Sequence, residues 1–180
     1  GPLRVRFSLR MLSPRLDAVP RPIHPLMHSR QRLTADLRDL GVAAGDVVMA
    51  HASVRAIGEI AGGPDEIHLA IEEVVTANGT LMMYAGCPRY ADEVGRGNLS
   101  GEQEAEVLEK LPPFDAESAR SDRSNGELVE LFRTFPGSRV KLHVTRIVAR
   151  GARADHLFSN SPWDYAFGRV SALGETCSVG

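Results

Sequence analysis

The stretch VMAHASVRAIG, residues 48–58, begins as an apolar run and then turns polar. Residues 47–50 follow a Gly-Asp turn pair, and this pattern predicts a short buried strand that ends near His51. Ser53 and Arg55 come next. Open α/β sheets bind ligands just beyond the carboxyl ends of their strands, so backbone N–H groups, a hydroxyl and a cation in this loop make a candidate anion site. In the alternative interpretation, Ser53 caps the following turn and Arg55 is a solvated charge.

A helix is predicted on the N-terminal side of this stretch. Leu33, Leu37 and Leu40 recur at helical spacing, and Gly41 stands where a helix-ending residue with positive φ belongs. The pattern predicts a helix over residues 30–40 that leads directly into the first strand.

A second helix and a second strand are predicted on the C-terminal side. Pro64 at the first helical position, with acidic residues directly after it, is typical of a helix start. The apolar face of this helix consists of Ile67, Ala70, Ile71, Val74 and Val75. An Asn-Gly pair ends it, and residues 80–84 read TLMMY, a second buried strand. The order helix, strand, helix, strand with short links predicts an α/β fold with a parallel or mixed central sheet flanked by helices.

The rest of the chain gives three further predictions. Residues 85–118 form a long functional or flexible loop that includes an acidic helical piece around 102–111. Ser124 and Glu127 match the S-x-x-E capping box and start a third helix. Residues 140–148 alternate imperfectly and predict one basic strand.

The overall composition argues against several classes of protein. The formal net charge is -2, from 21 Lys and Arg against 23 Asp and Glu, so the strong basic excess of a general nucleic-acid binder is missing. The two cysteines show no C-x-x-C pair and no metal-like spacing, so we expect neither a disulfide framework nor a bound metal. No Walker loop or G-x-G-x-x-G motif occurs. No apolar run approaches the roughly 20 residues of a membrane span, so we expect a cytoplasmic protein without a membrane partner.

The N-terminal 26 residues differ from the rest of the chain. Residues 1–32 hold seven arginines and five prolines against one acid, Asp17. Such a segment cannot bury a periodic apolar face, so we expect residues 1–26 to be a disordered extension. A transit peptide or a phosphate-binding arm is the alternative for the extension, and Met27 is a candidate natural start.

Four blocks of the sequence resemble one known family. They read MHSRQRLTADLRDLGVAAGDVVMAHASVRAIGEIAGG at 27–63, GTLMMYAG at 79–86, PPFD at 112–115 and ELVELFRTFPGSR at 127–139. In this order and with these gaps they resemble the aminoglycoside 3-N-acetyltransferases of the antibiotic N-acetyltransferase family, which are not GNAT-type enzymes. The resemblance implies an antibiotic N-acetyltransferase-like α/β fold and makes residues 27–180 the N-terminal portion of such a domain.

The resemblance also implies a reaction and a set of binding residues. The reaction is direct transfer of an acetyl group from acetyl-CoA to the 3-amino group of a deoxystreptamine aminoglycoside. The CoA contacts implied by the resemblance are His51, Ser53, Val54, Arg55, Ala56 and His143. Because an aminoglycoside is a polycation and needs carboxylates around it, Asp92 and Glu93 are the substrate-binding candidates, with Tyr84 as a wall. The alternative for Asp92 and Glu93 is a solvated pair of loop charges.

The chain departs from the family pattern near its end. In the family the general base is a histidine in a later block, where a leucine-histidine pair is followed by glutamate, and no histidine follows His156 here. We therefore expect a domain that is incomplete at its C-terminus, and we assign no catalytic residue. The alternatives to a working acetyltransferase are an inactive fragment that retains at most CoA or phosphate binding and a phosphate-binding module with another ligand. Cys87 is a poor candidate nucleophile because direct transfer needs no acyl-enzyme.

Overall fold

The computed structural model describes residues 5–6, 27–87, 94–95, 97–143, 145–159, 171, 174 and 176. Within these residues, helices pack on a mixed sheet. The helices are α1 (Arg30–Asp39), α2 (Val54–Ile57), α3 (Asp65–Val75), α4 (Gly101–Lys110), α5 (Glu127–Thr134) and α6 (Ala154–Ser159). The strands are β1 (Val5–Arg6), β2 (Val47–Met49), β3 (Thr80–Tyr84), β4 (Arg139–Val140) and β5 (Ile147–Gly151).

The sheet has the strand order β1-β2-β3-β5-β4. β1 with β2 and β2 with β3 are parallel, whereas β3 with β5 and β5 with β4 are antiparallel. The parallel pair β2 and β3 is joined by the crossover helix α3, since two parallel strands cannot be joined by a tight hairpin. This arrangement confirms the α/β class and selects the mixed form of the sheet.

Both faces of the sheet are buried, because successive residues of a strand point to opposite sides. Val48, Leu81 and Met83 face α1, α3 and α5, and the centre of this larger core is Phe132. Val47, Met49 and Met82 face the other side, where α6 packs. Burial on both faces explains why the strands read as continuous apolar runs and not as alternating ones.

The ends of the first two long helices follow local rules. The Ser29 hydroxyl accepts a hydrogen bond from the Arg32 amide at 3.2 Å, which caps α1, and Gly41 takes φ 83° just after the helix. Pro64 lies one position earlier than predicted, as the residue that precedes the first turn of α3. The Glu66 carboxylate in that turn receives the Arg30 guanidinium at 2.8 Å, so an ion pair joins α3 to α1.

The predicted capping box at Ser124 and Glu127 is wrong. Ser124 belongs to a 3₁₀ turn, Arg123–Asn125, that is capped by Asp122, and α5 begins after Gly126, whose φ of 85° no other residue type adopts easily. A capping box does occur at α4, where Ser100 and Gln103 satisfy each other's amides at 3.3 and 2.8 Å.

The single basic strand predicted over residues 140–148 is also wrong. Two short antiparallel strands, β4 and β5, are separated by a turn in which the Thr145 amide donates to His143 Nδ1 at 3.1 Å. Arg146 at the end of this turn is fully buried. Its guanidinium donates to the carbonyls of Gly86 and Ala116, both at 2.9 Å, and it also bonds the carbonyls of Ala119 and Arg120. Long-range hydrogen bonds from Arg146 therefore hold the chain in a turn where a single strand was predicted.

Of the N-terminal extension, the structure describes only Val5 and Arg6, whose backbone pairs with Val47 and Val48 at the edge of the sheet. Disorder of residues 1–26 stays a prediction. None of the described helices combines the length and the apolar character needed to cross a membrane.

Candidate functional site

The carboxyl ends of β2 and β3 lie side by side at one edge of the sheet. The two strands are parallel with Met49 opposite Met82, and the Ala50 amide extends the ladder by donating to the Met82 carbonyl at 3.0 Å. The chain leaves the sheet after these strands through two loops, 50–53 and 85–87. Side chains and amides from both loops are thereby brought to the edge where open α/β sheets bind ligands.

Ser53 acts as a helix cap, as the alternative interpretation of the opening stretch predicted. Its Oγ accepts from the Ala56 amide at 3.3 Å, and its carbonyl accepts from the Ile57 amide at 3.1 Å, which together form the single turn of α2. The amides of Val54 and Arg55 in this first turn have no intrahelical acceptor. These two N–H groups, and not the Ser53 hydroxyl, are the donors that α2 offers to an anion.

The other side chains of the loop divide into exposed and packed groups. Arg55 and Ala56 are exposed, while Val54 packs against the larger core and fixes α2 to the domain. His51 reaches the surface, but the groups beneath it exclude enough water to lower the pKa of its imidazole, so its neutral form is favoured. The loop thus presents a guanidinium and backbone amides to solvent.

A second wall of the site is built around the end of β3. The Ala85 carbonyl accepts from the Asn125 side-chain amide at 3.0 Å and from the Asp122 backbone amide at 2.9 Å. A Cβ added at Gly86 would lie 3.0 Å from the Asn125 amide nitrogen and 3.3 Å from the Tyr84 ring. Only a glycine therefore allows the chain to pass between Tyr84 and Asn125.

The start of α5 also lies at this edge. A Cβ added at Gly126 would lie 3.6 Å from the Ala52 carbonyl, so the N-terminus of α5 lies beside the loop that follows β2. Sequence reasoning missed Asp122, Asn125 and Gly126 as parts of the site. The Asn-Gly pair was a visible turn signal, but it was absorbed into the wrong capping box.

The Tyr84 phenol and the Cys87 thiol in this wall both favour their neutral forms. Burial, with smaller contributions from Cys87 and Asp122, raises the pKa of the Tyr84 phenol. Burial also raises the pKa of the Cys87 thiol, although Arg146 acts in the opposite direction. Because the thiolate is the nucleophilic form, the environment of Cys87 does not favour covalent catalysis.

The other predicted site residues are His143, Asp92 and Glu93, and they are not part of the described loop or wall. His143 is buried and its Nδ1 is held by Thr145, whose hydroxyl oxygen lies at 2.7 Å, so this nitrogen is occupied within the protein. Asp92 and Glu93 lie outside the described residues. Within the described part of the chain, no three His, Cys, Asp or Glu side chains gather as metal ligands would.

A small apolar cavity lies beneath the loop. Its volume is about 50 Å³, and the residues that line it come from α1, β2, the loop and α3, including Leu33, Leu37, Ala50, His51, Ile57 and Ile71. The packing of His51 and α2 against the core is therefore locally incomplete.

Comparison with known proteins identifies the family. The model of a family described as aminoglycoside 3-N-acetyltransferase matches residues 49–180, which include the loop, β3 and α5. The chain belongs to the aminoglycoside 3-N-acetyltransferase family.

One curated member of this family is aminoglycoside N(3)-acetyltransferase III from Pseudomonas aeruginosa. It is 37% identical to the chain over 153 residues, an alignment that covers 84% of the chain and 56% of the relative. The chain therefore spans little more than half the length of this acetyltransferase.

Two solved acetyltransferase structures have the same fold. The binary complex of AAC-IIIb with CoASH superposes with a TM-score of 0.75 at 37% identity and covers 86% of the chain and 57% of that protein. AAC-VIa bound to sisomicin gives a TM-score of 0.75 at 29% identity and covers 85% of the chain and 57% of that protein. One of these neighbours was thus solved with CoASH and the other with sisomicin.

Proposed function

We propose that the chain acts as an acetyl-CoA-dependent aminoglycoside N(3)-acetyltransferase. Its described residues hold the acetyl donor. The observation that carries this proposal is the loop after β2, where the first-turn amides of α2, which have no acceptor within the helix, and the exposed Arg55 lie together at the carboxyl edge of the sheet. The family match and the relative that binds CoASH support the choice of CoA over another anion.

The loop residues have different roles in this proposal. The amides of Val54 and Arg55 donate to pyrophosphate oxygens, and the Arg55 guanidinium neutralises their charge. Ser53 and Ala56 shape the turn, because their mutual hydrogen bond fixes the direction of these amides. His51 borders the pantetheine arm, and His143 supports the neighbouring turn from inside the protein.

The substrate side of the proposal uses the second wall. Tyr84 presents a neutral ring against the aminoglycoside, and Asp92 and Glu93 supply negative charge for a polycation. Attack of the 3-amino group on the thioester requires a general base and a donor for the developing oxyanion. No described residue is assigned to either role. The same assignments suit the alternative in which the chain binds CoA but does not transfer the acetyl group.

An Arg55→Ala substitution tests the CoA loop. Loss of a charge-assisted contact to phosphate is expected to weaken CoA binding by about tenfold, measured by isothermal titration calorimetry. The matched control is Arg38→Ala, which removes an exposed arginine in the last turn of α1 that pairs with Glu73 of α3. Equal CoA affinities for the wild-type chain and Arg55→Ala would refute the assignment of the loop.

A turnover assay then separates the two functions. Release of the free CoA thiol is followed with acetyl-CoA and a gentamicin-type aminoglycoside. CoA binding without thiol release would select the non-catalytic alternative, whereas release that depends on the aminoglycoside would establish transfer.

A further inference from the structure

Lys141 carries a buried amine for which the described residues offer no partner. The residue is only 7% exposed, and its Nζ has no hydrogen-bond partner in the described part of the protein. The amine carries N–H donors whether it is protonated or neutral, so neither state satisfies it. A buried donor without an acceptor costs stability, and a buried charge without a counter-charge costs more. Among the described residues, Nζ therefore lacks an acceptor for its N–H groups.

The position of Lys141 follows from the register of the sheet. Its amide donates to the Ile147 carbonyl at 2.8 Å and so extends the pairing of β4 with β5 by one residue. Ile147 is in turn paired with Tyr84, the last residue of β3. Lys141, Ile147 and Tyr84 form one row across the sheet. This row lies at the carboxyl edge of β3, the edge at which the candidate functional site is built.

The face on which the amine lies follows from the neighbours of Lys141 along the chain. Val140 packs against the larger core, so Arg139 and Lys141 point to the opposite face, which α6 covers. On that face Arg139 already pairs with Asp155 of α6. That carboxylate is engaged by Arg139. Burial lowers the pKa of the Lys141 amine, and no carboxylate of the described residues is among the causes of its shift.

The amine nevertheless lies close to the surface of the molecule. β4 is the last strand of the described sheet, and Leu142, the next residue, is 57% exposed. The segment that carries Lys141 therefore lies at the rim of the described sheet, where a local rearrangement costs less than in the centre of the core.

We propose that Lys141 is the cationic group of an anion subsite at the carboxyl edge of the sheet, where its ammonium donates to a phosphate oxygen. Lysine binds phosphate as a point charge, and a phosphate supplies both the acceptor and the counter-charge that the buried amine needs. The phosphate can belong to CoA or be free inorganic phosphate. The choice of CoA rests on the proposed function, while the subsite itself does not.

The experiment exploits the fact that the chain has two lysines, Lys110 and Lys141. Lys110 lies exposed on α4 and forms a surface pair with Glu106, so it serves as an internal control. Lysine labelled with carbon-13 at Cε reports the pKa of both amines by NMR titration in one sample. The probes are CoA, pantetheine without phosphate, and inorganic phosphate, each added to the full wild-type chain.

A phosphate at Nζ is expected to raise the pKa of Lys141 by about one unit or more and to leave Lys110 unchanged. A rise with CoA but not with pantetheine identifies the phosphates of CoA as the source, and a rise with inorganic phosphate alone identifies a free anion. If no probe moves the Lys141 titration, the subsite is refuted. Because this readout uses the wild-type chain, it does not depend on a variant that folds.

Two variants separate this proposal from the proposed function. Lys141→Met, which keeps the length of the side chain without its charge, is expected to weaken binding of the active probe about tenfold, and Lys141→Arg is expected to retain most of it. Lys110→Met is the matched control and should bind as wild type. CoA binding that needs Arg55 but ignores Lys141 would overturn the subsite and leave the proposed function standing. A response of Lys141 to inorganic phosphate without any CoA binding would do the reverse.

Discussion

Protonation of the Glu130 carboxylate on α5 is expected to lower the free energy of unfolding of the domain. Its carboxylate accepts from the Ser121 amide and hydroxyl, both at 2.8 Å, and from the Arg133 guanidinium at 2.7 and 3.0 Å. Arg133 also donates to the Glu117 carbonyl at 2.7 Å. Glu130 and Arg133 therefore fasten the segment that follows α4 onto α5, beside the second wall of the site.

The magnitude follows from the pKa of this carboxyl. Burial alone would raise it, but the hydrogen bonds from Arg133 and Ser121 dominate and lower the pKa of Glu130 from 4.5 to about 2. A folded-state pKa below the unfolded value means that the ionised form stabilises the fold. A difference of this size corresponds to about 3 kcal/mol at neutral pH. That stability is fully present above pH 4.5 and is lost as the pH falls towards 2.

The test is a Glu130→Gln variant followed by urea unfolding at several pH values. At pH 7 we expect a loss of about 2–3 kcal/mol, because the amide cannot accept from Arg133 at both positions and its NH₂ group faces a cation. Between pH 4.5 and pH 3 the difference from wild type should shrink, because the carboxyl of the unfolded chain, with a pKa near 4.5, takes up a proton while the folded-state carboxylate, with a pKa of about 2, stays ionised. Glu106→Gln, which breaks only the exposed pair with Lys110, should cost under about 1 kcal/mol.

Two results would refute this reasoning. A loss below about 0.5 kcal/mol at pH 7 would show that the contacts of Glu130 with Arg133 and Ser121 contribute no more than an ordinary surface pair. A difference that stays constant down to pH 3 would show that the effect of the substitution is packing and not charge. The Glu106→Gln profile sets the size of the pH-dependent change expected from a screened carboxylate.

Two further substitutions probe the core and the sheet. Phe132→Ala empties the centre of the larger core and is expected to cost about 3–5 kcal/mol, measured by the urea midpoint; a loss under about 1 kcal/mol would contradict the central position of this ring. Gly151→Ala places a Cβ against the Gly79 carbonyl at a residue with φ 132°, so a loss of about 2 kcal/mol or more is expected in thermal unfolding. Gly45→Ala has positive φ but open space around the added Cβ and should cost only about 1 kcal/mol, so equal losses for the two variants would rule out a steric cause.

The sequence by itself determined the elements that depend on neighbours along the chain. The spacing of Leu33 and Leu37 set the buried face of α1, and the run that ends near His51 set β2. The serine that follows was correctly anticipated as the cap of a short turn. These features need only the period of a helix or strand and the hydrogen bonds of residues three or four positions apart.

The tertiary structure decided the elements whose partners lie far away along the chain. Arg146 looks like one member of a basic strand, yet its guanidinium binds the Gly86 carbonyl 60 residues away and the Ala116 carbonyl 30 residues away. The expected polarity is also reversed in the residues before it, because the charged Lys141 is buried while the apolar Leu142 is exposed. Sequence periodicity predicts that polar residues face solvent. A charged side chain can nevertheless be buried when a distant loop supplies carbonyl groups that accept its hydrogen bonds.

The candidate site divides in the same way. The loop 51–56 could be found from the sequence, because a strand that stops at polar residues is a local signal. Tyr84 was named from the sequence as a wall, but its neighbours Gly86 and Asn125 and the row that ends at Lys141 could not be found in this way. Asn125 reaches the end of β3 from 40 residues away, and the row exists only after β3 has paired with β5 and β5 with β4. Strand register is set by packing across the whole sheet, so it brings together residues that no local pattern connects.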